Sequence, residues 1–225
     1  MRMFESISHP NVVEFKESFW DEKQISIIME YLDNDLESKI IKMRKENLRF
    51  DESIIWSYSI QMMEALKAFH DKEIILDYIE CSNIFLLKDK NTCKISIMNL
   101  RNIDPYLYKY QHEIFGIYYY SPEIFEEDLE NNSYKTNIWN IGCIVYELCT
   151  LRPPFQGRNF IELIKKIREG NIERIEHCYS DELWKMILML LERDITKRVN
   201  CNEFLNSELI KKKIKEMKKM EENNF

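Results

Sequence analysis

Glycine is scarce in this sequence of 225 residues, and none of its four glycines lies in the first half. They are Gly116, Gly142, Gly157 and Gly170. A loop that cradles phosphate needs several glycines, because its backbone must approach the phosphate closely. The chain as written therefore excludes a glycine-rich phosphate loop near its N-terminus.

Long apolar runs, paired cysteines and an excess of positive charge are also missing. No apolar stretch reaches 18 residues, so no membrane-spanning helix is predicted, and the opening MRMFESISHPN lacks the apolar centre of a signal peptide. The six cysteines form no C-x-x-C pair and read as reduced thiols. A net charge of −7 argues against a nucleic-acid partner. We expect an intracellular protein, cytoplasmic or nuclear.

The hydrophobic pattern predicts strands first and helices afterwards, which is typical of an α+β fold with a helical majority. Two strands are expected over 11–20 and 24–32, and a small hairpin over 82–98. The expected helices cover 36–46, 53–73, 135–151, 159–170, 180–193 and 201–222.

One stretch, EIILDYIECSNIF at 73–85, has the outline of an enzyme loop between two buried segments. Its polar centre contains Asp77, Tyr78, Glu80 and Cys81, and it contains no basic residue. The question is whether these residues form a catalytic site or only its framework.

Four blocks of sequence, in order, resemble protein kinases. They are HPNVVEFKESFWDEKQISIIMEYLD, FGIYYYSPE, KTNIWNIGCIVYELCTLRPPFQG and LLERDITKRVNCNEFL. The texture is most similar to the NIMA-related serine/threonine kinases, over about residues 1 to 209. The resemblance implies a protein-kinase-like fold, mostly the helical C-lobe with a remnant two-stranded N-lobe. The implied division is 1–31 for the N-lobe remnant, 32–209 for the C-lobe and 210–225 for a Lys-rich helical tail.

The resemblance places a degenerate catalytic loop in this stretch. A kinase loop reads H-R-D-x-K-x-x-N, in which the Asp accepts the substrate proton and the Asn holds Mg²⁺. Anchored on Asn83, the base position is Tyr78, the Arg is Asp77, the His is Leu76 and the phosphate-facing Lys is Glu80. A phenol is a poor base at neutral pH, and a carboxylate opposes phosphate. In the alternative register Asp77 is the base, but Asn83 then stands one residue too far along.

The implied nucleotide and metal sites are incomplete as well. Ile97 replaces the metal-binding Asp, and an apolar side chain cannot ligate a hard cation. Adenine would meet only hinge backbone at Glu30, Tyr31 and Leu32. No cofactor is therefore expected, and ATP with Mg²⁺ enters only if the chain is a kinase after all.

The residues that resemble the family's structural framework are present. Glu123 and Arg198 match a buried ion pair, Trp139 matches a core position, and Asn137 stands where the family has an Asp that holds the catalytic loop. Gly116 stands where a Thr normally touches the catalytic Asp.

These expectations lead to a catalytically inactive, kinase-like domain, a pseudokinase, that acts as a scaffold or allosteric partner of proteins. The partner would be an active kinase relative or a second copy bound through the exposed remnant sheet. Two alternatives stay open: a NIMA-related serine/threonine kinase with weak ATP binding and phosphotransfer, and a degraded or mis-started gene product. The lysine-rich tail would bind an acidic partner, begin a coiled coil or simply end the last helix.

Overall fold

The computed structural model describes residues 7–21, 24–76, 78–87, 91–96, 116–126 and 133–222. These residues form five strands, seven α-helices and three short 3₁₀ helices. The strands are β1 Phe15–Asp21, β2 Gln24–Met29, β3 Asn34–Asp35, β4 Ile84–Leu86 and β5 Cys93–Ile95. The α-helices are α1 Leu36–Lys45, α2 Glu52–His70, α3 Tyr134–Thr150, α4 Phe160–Glu169, α5 Asp181–Leu190, α6 Cys201–Asn206 and α7 Glu208–Glu222. The 3₁₀ helices are Cys81–Asn83, Gly116–Tyr119 and Pro122–Phe125.

The first sheet is the predicted antiparallel hairpin of β1 and β2. Its register pairs Trp20 with Ile25 and Phe19 with Ser26, and an irregularity between Phe15 and Glu17 shifts the register. In the described residues each of the two strands pairs only with the other. Both outer edges therefore keep backbone groups that no third strand among the described residues takes up.

The second sheet has the order β3-β4-β5, and it corrects the predicted hairpin. β4 and β5 pair as expected, but β3 adds a third strand through Asn34–Leu86 and Asp35–Phe85. This strand ends at once because Asp35 caps α1, where its carboxylate accepts the Ser38 N–H at 2.7 Å.

Helices α2 and α3 pack against each other and form the centre of the core. Every residue of α3 from 136 to 149 is buried, and Trp56, Leu66 and Phe69 of α2 are fully buried. Such a helix, apolar on nearly all sides, belongs in the interior of a helical layer. The architecture confirms the predicted α+β class with a helical majority.

The C-terminal run that was predicted as one helix is two. Ser207 adopts an extended conformation with φ −62° and ψ 149°, which ends α6 and starts α7 in a new direction. α7 then packs one face on the core through Ile210, Ile214 and Met217. None of the helices in the described residues is long and apolar enough to cross a membrane.

Candidate active site

The loop between α2 and β4 is held at its centre by Asn137 of α3. The Leu76 N–H donates to Asn137 Oδ1 at 3.1 Å, and Asn137 Nδ2 donates to the Leu76 carbonyl at 2.6 Å. A carboxylate at this position accepts hydrogen bonds but cannot donate one to the carbonyl. The amide therefore satisfies both backbone groups of a buried residue and fixes the loop on the core.

His70 extends this contact toward α6. Its Nε2 lies 3.2 Å from Asn137 Oδ1, and its Nδ1 lies 3.3 Å from Cys201 Sγ. Because Oδ1 can only accept, Nε2 carries the proton and Nδ1 faces the thiol. Burial lowers the pKa of His70, so the ring is neutral and the three side chains form an uncharged chain of hydrogen bonds.

Tyr78, at the expected base position, is turned into the protein. Its hydroxyl donates to Glu80 Oε2 at 3.1 Å, and its ring meets the rings of Tyr119 and Tyr120 edge-on at 6.4 and 6.0 Å. Burial, and then the carboxylate of Glu80, raises the pKa of Tyr78 well above its ordinary value. A phenol in this state is a weak proton acceptor.

Glu80, at the expected position of the phosphate-facing lysine, is buried and engaged inside its own loop. It accepts the Tyr78 hydroxyl and, at 2.5 Å, the Ser82 hydroxyl, while its backbone N–H donates to Asn83 Oδ1 at 3.1 Å. Glu80 and Asn83 are each only 3% exposed. The resemblance places Glu80 at a phosphate-facing position and Asn83 at a metal-binding position, whereas in the structure their described contacts close the turn on itself.

The described residues do not assemble a magnesium site. They contain no group of three His, Cys, Asp or Glu side chains placed to hold a metal. The amide oxygen of Asn83 already accepts a backbone N–H. Ile97, at the position of the metal-binding Asp, and Asp77, the alternative base, lie outside the described residues.

The hinge at 30–32 is pinned to its neighbours. The Glu30 N–H donates to the Glu14 carbonyl at 2.9 Å, and the Glu30 carboxylate accepts the Glu14 N–H at 2.8 Å and Lys94 Nζ at 2.5 Å. Tyr31 beside it is 85% exposed, and Leu32 is half-buried. The hinge segment, where adenine would bind in a kinase, is thus held by the contacts of Glu30 with Glu14 and Lys94.

Glu123 and Arg198 form a buried, two-pronged ion pair. Arg198 Nη1 and Nη2 lie 2.7 and 3.0 Å from the two carboxylate oxygens, and the side chains are 0% and 2% exposed. Burial alone would raise the pKa of Glu123, but the hydrogen bond and charge of Arg198 lower it below its ordinary value. The pair ties the 3₁₀ helix at 122–125 to the segment before α6.

The ion pair is part of a larger packed framework. The Arg198 guanidinium lies 4.9 Å from the ring centre of Trp139, which stacks on Phe155 at 5.5 Å with nearly parallel planes. Arg198 Nη1 also donates to the Lys135 carbonyl at 2.9 Å. Three of the predicted framework residues, Glu123, Arg198 and Trp139, are therefore brought together in one cluster, whereas the fourth, Asn137, contacts Leu76.

A second cluster was not predicted from the sequence. The Tyr119 hydroxyl donates to Glu147 of α3 at 2.5 Å and lies 3.4 Å from Cys81 Sγ, and Asn140 Nδ2 donates to the Tyr119 carbonyl at 2.8 Å. Burial raises the pKa of Glu147. The only sequence signal was a glutamate inside the apolar run CIVYELCT. This cluster fixes the segment 116–120 beside the loop.

Comparison with known proteins shows that the sequence is similar to protein kinases. The family described as protein kinase domain matches residues 1–210. The serine/threonine-protein kinase Nek5 of Homo sapiens is 34% identical over 90% of this chain and 28% of its own length. Nek1 of Mus musculus is 34% identical over 93% of this chain and 17% of its length, and the probable serine/threonine-protein kinase nek2 of Dictyostelium discoideum is 33% identical over 97% and 53%. The chain thus spans between a sixth and about half of these relatives.

A solved structure supports the fold alone. The crystal structure of Rad53 1-466 in complex with AMP-PNP superposes with a TM-score of 0.76 at 23% identity. The match covers 93% of this chain and 53% of that chain.

These comparisons correct the prediction that the chain is not an enzyme. Relatives named as serine/threonine-protein kinases match 90% or more of the chain, and no described residue demonstrates loss of activity. The prediction fails for a physical reason. Loss of a positioned base lowers the rate of a reaction by a factor of about 10²–10⁴, and it does not abolish the reaction. The comparisons favour the serine/threonine kinase alternative over the inactive scaffold.

Proposed function

The chain belongs to the protein kinase domain family, and from this premise we propose that it is a NIMA-related type of serine/threonine kinase domain with weak phosphotransfer. The substrate class is a serine or threonine hydroxyl, and ATP supplies the phosphoryl group. The relatives are longer than this chain, so their remaining parts enter no step of the proposal.

The observation that carries the proposal is the fixation of the catalytic loop. Asn137 bonds both backbone groups of Leu76, and the Glu123–Arg198 pair anchors the segment opposite it. In phosphoryl transfer the protein contributes mainly positioning and electrostatics, with little covalent chemistry of its own. A framework that keeps the loop in place therefore supports residual transfer.

The weakness of the transfer follows from Tyr78 and Glu80. A hydroxyl whose pKa is raised by burial takes up a substrate proton poorly, and Tyr78 donates its own proton to Glu80. Replacing a suitable base costs about 10²–10⁴ in rate. The proposal is thus a slow kinase with an altered loop.

The cofactor assignment follows the reaction class. ATP is proposed as the phosphoryl donor, with the hinge backbone near Tyr31 and Leu32 as the nearest segment for its base. Magnesium normally accompanies ATP in this chemistry. The described residues do not fit a magnesium site, so no step is assigned to the metal. Use of ATP is in keeping with the expected cytoplasmic or nuclear location.

The test is transfer of labelled γ-phosphate from Mg-ATP to peptides that contain serine or threonine, with matched alanine peptides as the blank. Slow labelling of the hydroxyl peptides is expected, and Asn83→Ala should slow it further because the loop loses the bond to the Glu80 N–H. Glu162→Ala, a surface change on α4, should leave the rate unchanged. No labelling above a heat-unfolded sample, or equal labelling by Asn83→Ala, would refute the proposal.

A protein-binding role is also proposed, for the β1–β2 hairpin. Phe19 is 54%, Trp20 is 71% and Ile28 is 40% exposed, and both strand edges are open in the described residues. Open strand edges favour pairing with another chain, and exposed apolar side chains beside such an edge add to the contact. A second copy is the simplest partner. Sedimentation velocity should show a dimer that Trp20→Glu dissociates, and a monomer at every concentration would refute this role.

A further inference from the structure

Gly116 lies directly against the phenol of Tyr78. A Cβ atom placed on Gly116 would lie 2.8 Å from the Tyr78 hydroxyl oxygen and 3.2 Å from Cζ. The backbone of Gly116 does not adopt the left-handed region, where glycine is favoured, so space is the reason for glycine here. The bare Cα makes room for one specific ring.

Tyr78 is held in place from two sides. Its hydroxyl is bonded to Glu80, and its ring edge contacts Tyr119 and Tyr120. Escape from an added methyl group would break the hydrogen bond or the ring contacts. The position of the Tyr78 ring therefore depends on the size of the side chain at position 116.

The segment 116–120 is anchored independently at its far end. Asn140 holds the Tyr119 carbonyl and Glu147 accepts the Tyr119 hydroxyl. Position 116 is thus one point where the anchored segment contacts the catalytic loop, beside the ring contacts of Tyr119 and Tyr120 with Tyr78.

We propose that Tyr78 and Gly116 form a steric latch, a positioning pair that sets the distance between the catalytic loop and the segment 116–120. The steric contact between Tyr78 and Gly116 is argued from the distances alone and does not depend on the proposed function. Its effect on acceptor binding rests on the proposed kinase function, since an acceptor hydroxyl must reach the position of Tyr78 beside this segment.

The test is a double-mutant cycle with Gly116→Ala, Tyr78→Ala and both changes together, followed by thermal unfolding. Gly116→Ala should lower Tm by about 2–10 °C, as overpacking does in a chain of this size. In the Tyr78→Ala background the same change should cost nothing. Tyr78→Phe, which removes the oxygen nearest the new methyl group, should relieve only part of the cost.

Additive shifts in this cycle, or no shift for Gly116→Ala alone, would overturn the latch. A positional measurement accompanies it: Gly116→Ala should speed amide hydrogen exchange in residues 117–120 and leave the centre of α3 unchanged. Unchanged exchange in 117–120 would also count against the latch.

A kinetic measurement separates the latch from the proposed function. If the chain transfers phosphate, Gly116→Ala should raise KM for the peptide more than KM for ATP, and equal effects would contradict the positioning role. If it transfers none, the proposed function fails, while the thermal cycle and hydrogen exchange still decide the latch.

Discussion

Two buried glutamates, Glu123 and Glu80, show how differently the framework and the catalytic loop are stabilised. Glu123 is bonded by both terminal nitrogens of Arg198, and Arg198 in turn lies over Trp139. Glu80 instead accepts the hydroxyls of Tyr78 and Ser82. The framework glutamate is stabilised by a charge pair, and the loop glutamate by hydroxyl groups of its own loop.

The difference teaches that the fold and the chemistry depend on separate residues. The charge pair, the aromatic stack and the Asn137 contacts position the loop without taking part in a reaction. Residues 78 and 80 set the chemistry, and the Asn137 anchor on Leu76 does not include them. Each of the following predictions changes one side of this comparison.

The largest effect is expected on the loop. Tyr78→Asp combined with Glu80→Lys places a carboxylate at the base position and a cation toward phosphate, so phosphotransfer should rise by about 10²–10⁴. Steady-state kinetics of peptide phosphorylation measure the gain, and thermal unfolding checks that the variant folds. Glu173→Lys, a change at an exposed glutamate outside the loop, is the control. A folded double variant with an unchanged rate would contradict the assignment of this loop.

The framework should respond in stability. Arg198→Leu leaves the Glu123 carboxylate buried without its cation, which costs about 3–5 kcal/mol. The fall in Tm should be about 6–20 °C by calorimetry. Arg158→Leu breaks an exposed pair with Glu162 at 3.1 Å and should cost less than about 1 kcal/mol. Equal losses for the two variants would be inconsistent with this account.

A smaller effect is expected where framework and loop meet. Asn137→Asp keeps an acceptor for the Leu76 N–H but removes the donor to its carbonyl, which now receives Nδ2 at 2.6 Å. A buried group left unsatisfied costs about 1–3 kcal/mol, measured by urea unfolding. Asn206→Asp, on the exposed surface of α6, is the matched control. An unchanged midpoint in Asn137→Asp would mean that water or another donor takes over the carbonyl.

The smallest effect is a pH dependence of opposite sign for two carboxylates. The lowered pKa of Glu123 gives stability that is present above the unfolded pKa and lost as pH falls through the folded pKa. The raised pKa of Glu147 gives stability that is present below the unfolded pKa and lost as pH rises through the folded pKa.

Thermal unfolding from pH 3 to 8 separates the two groups. Glu147→Gln should become less unfavourable, relative to the unchanged protein, as pH rises from about 4. Glu123→Gln should become more unfavourable over the same range. Parallel curves for the two variants would contradict the assigned directions.

Much of the fold could be predicted from the sequence because it rests on local patterns. Alternation gave the β1–β2 hairpin, and apolar periodicity gave α2 and α3. β3 was missed because Asn34 and Asp35 have low strand propensity and pair only through contact with β4. The break at Ser207 was missed because the apolar and lysine pattern runs through it without interruption.

The candidate site was predictable only in part. Asn137, Glu123 and Arg198 were found because a resemblance assigns them positions, and the structure brings each to the expected partner. The resemblance places position 116 against the base position 78, but no local pattern marks the steric fit of Tyr78 on Gly116. The prediction of an inactive domain went wrong because it treated a slower reaction as an absent one.

The uncharged chain Cys201–His70–Asn137–Leu76 has a consequence for how the domain responds to its surroundings. Dissolved salt screens attractions between ions, but it acts little on hydrogen bonds between buried neutral groups. The geometry of the loop should therefore stay the same in dilute and concentrated electrolyte. A carboxylate at residue 137 would add an ionic contact to this chain. The attachment of the loop to α3 would then depend on both pH and ionic strength.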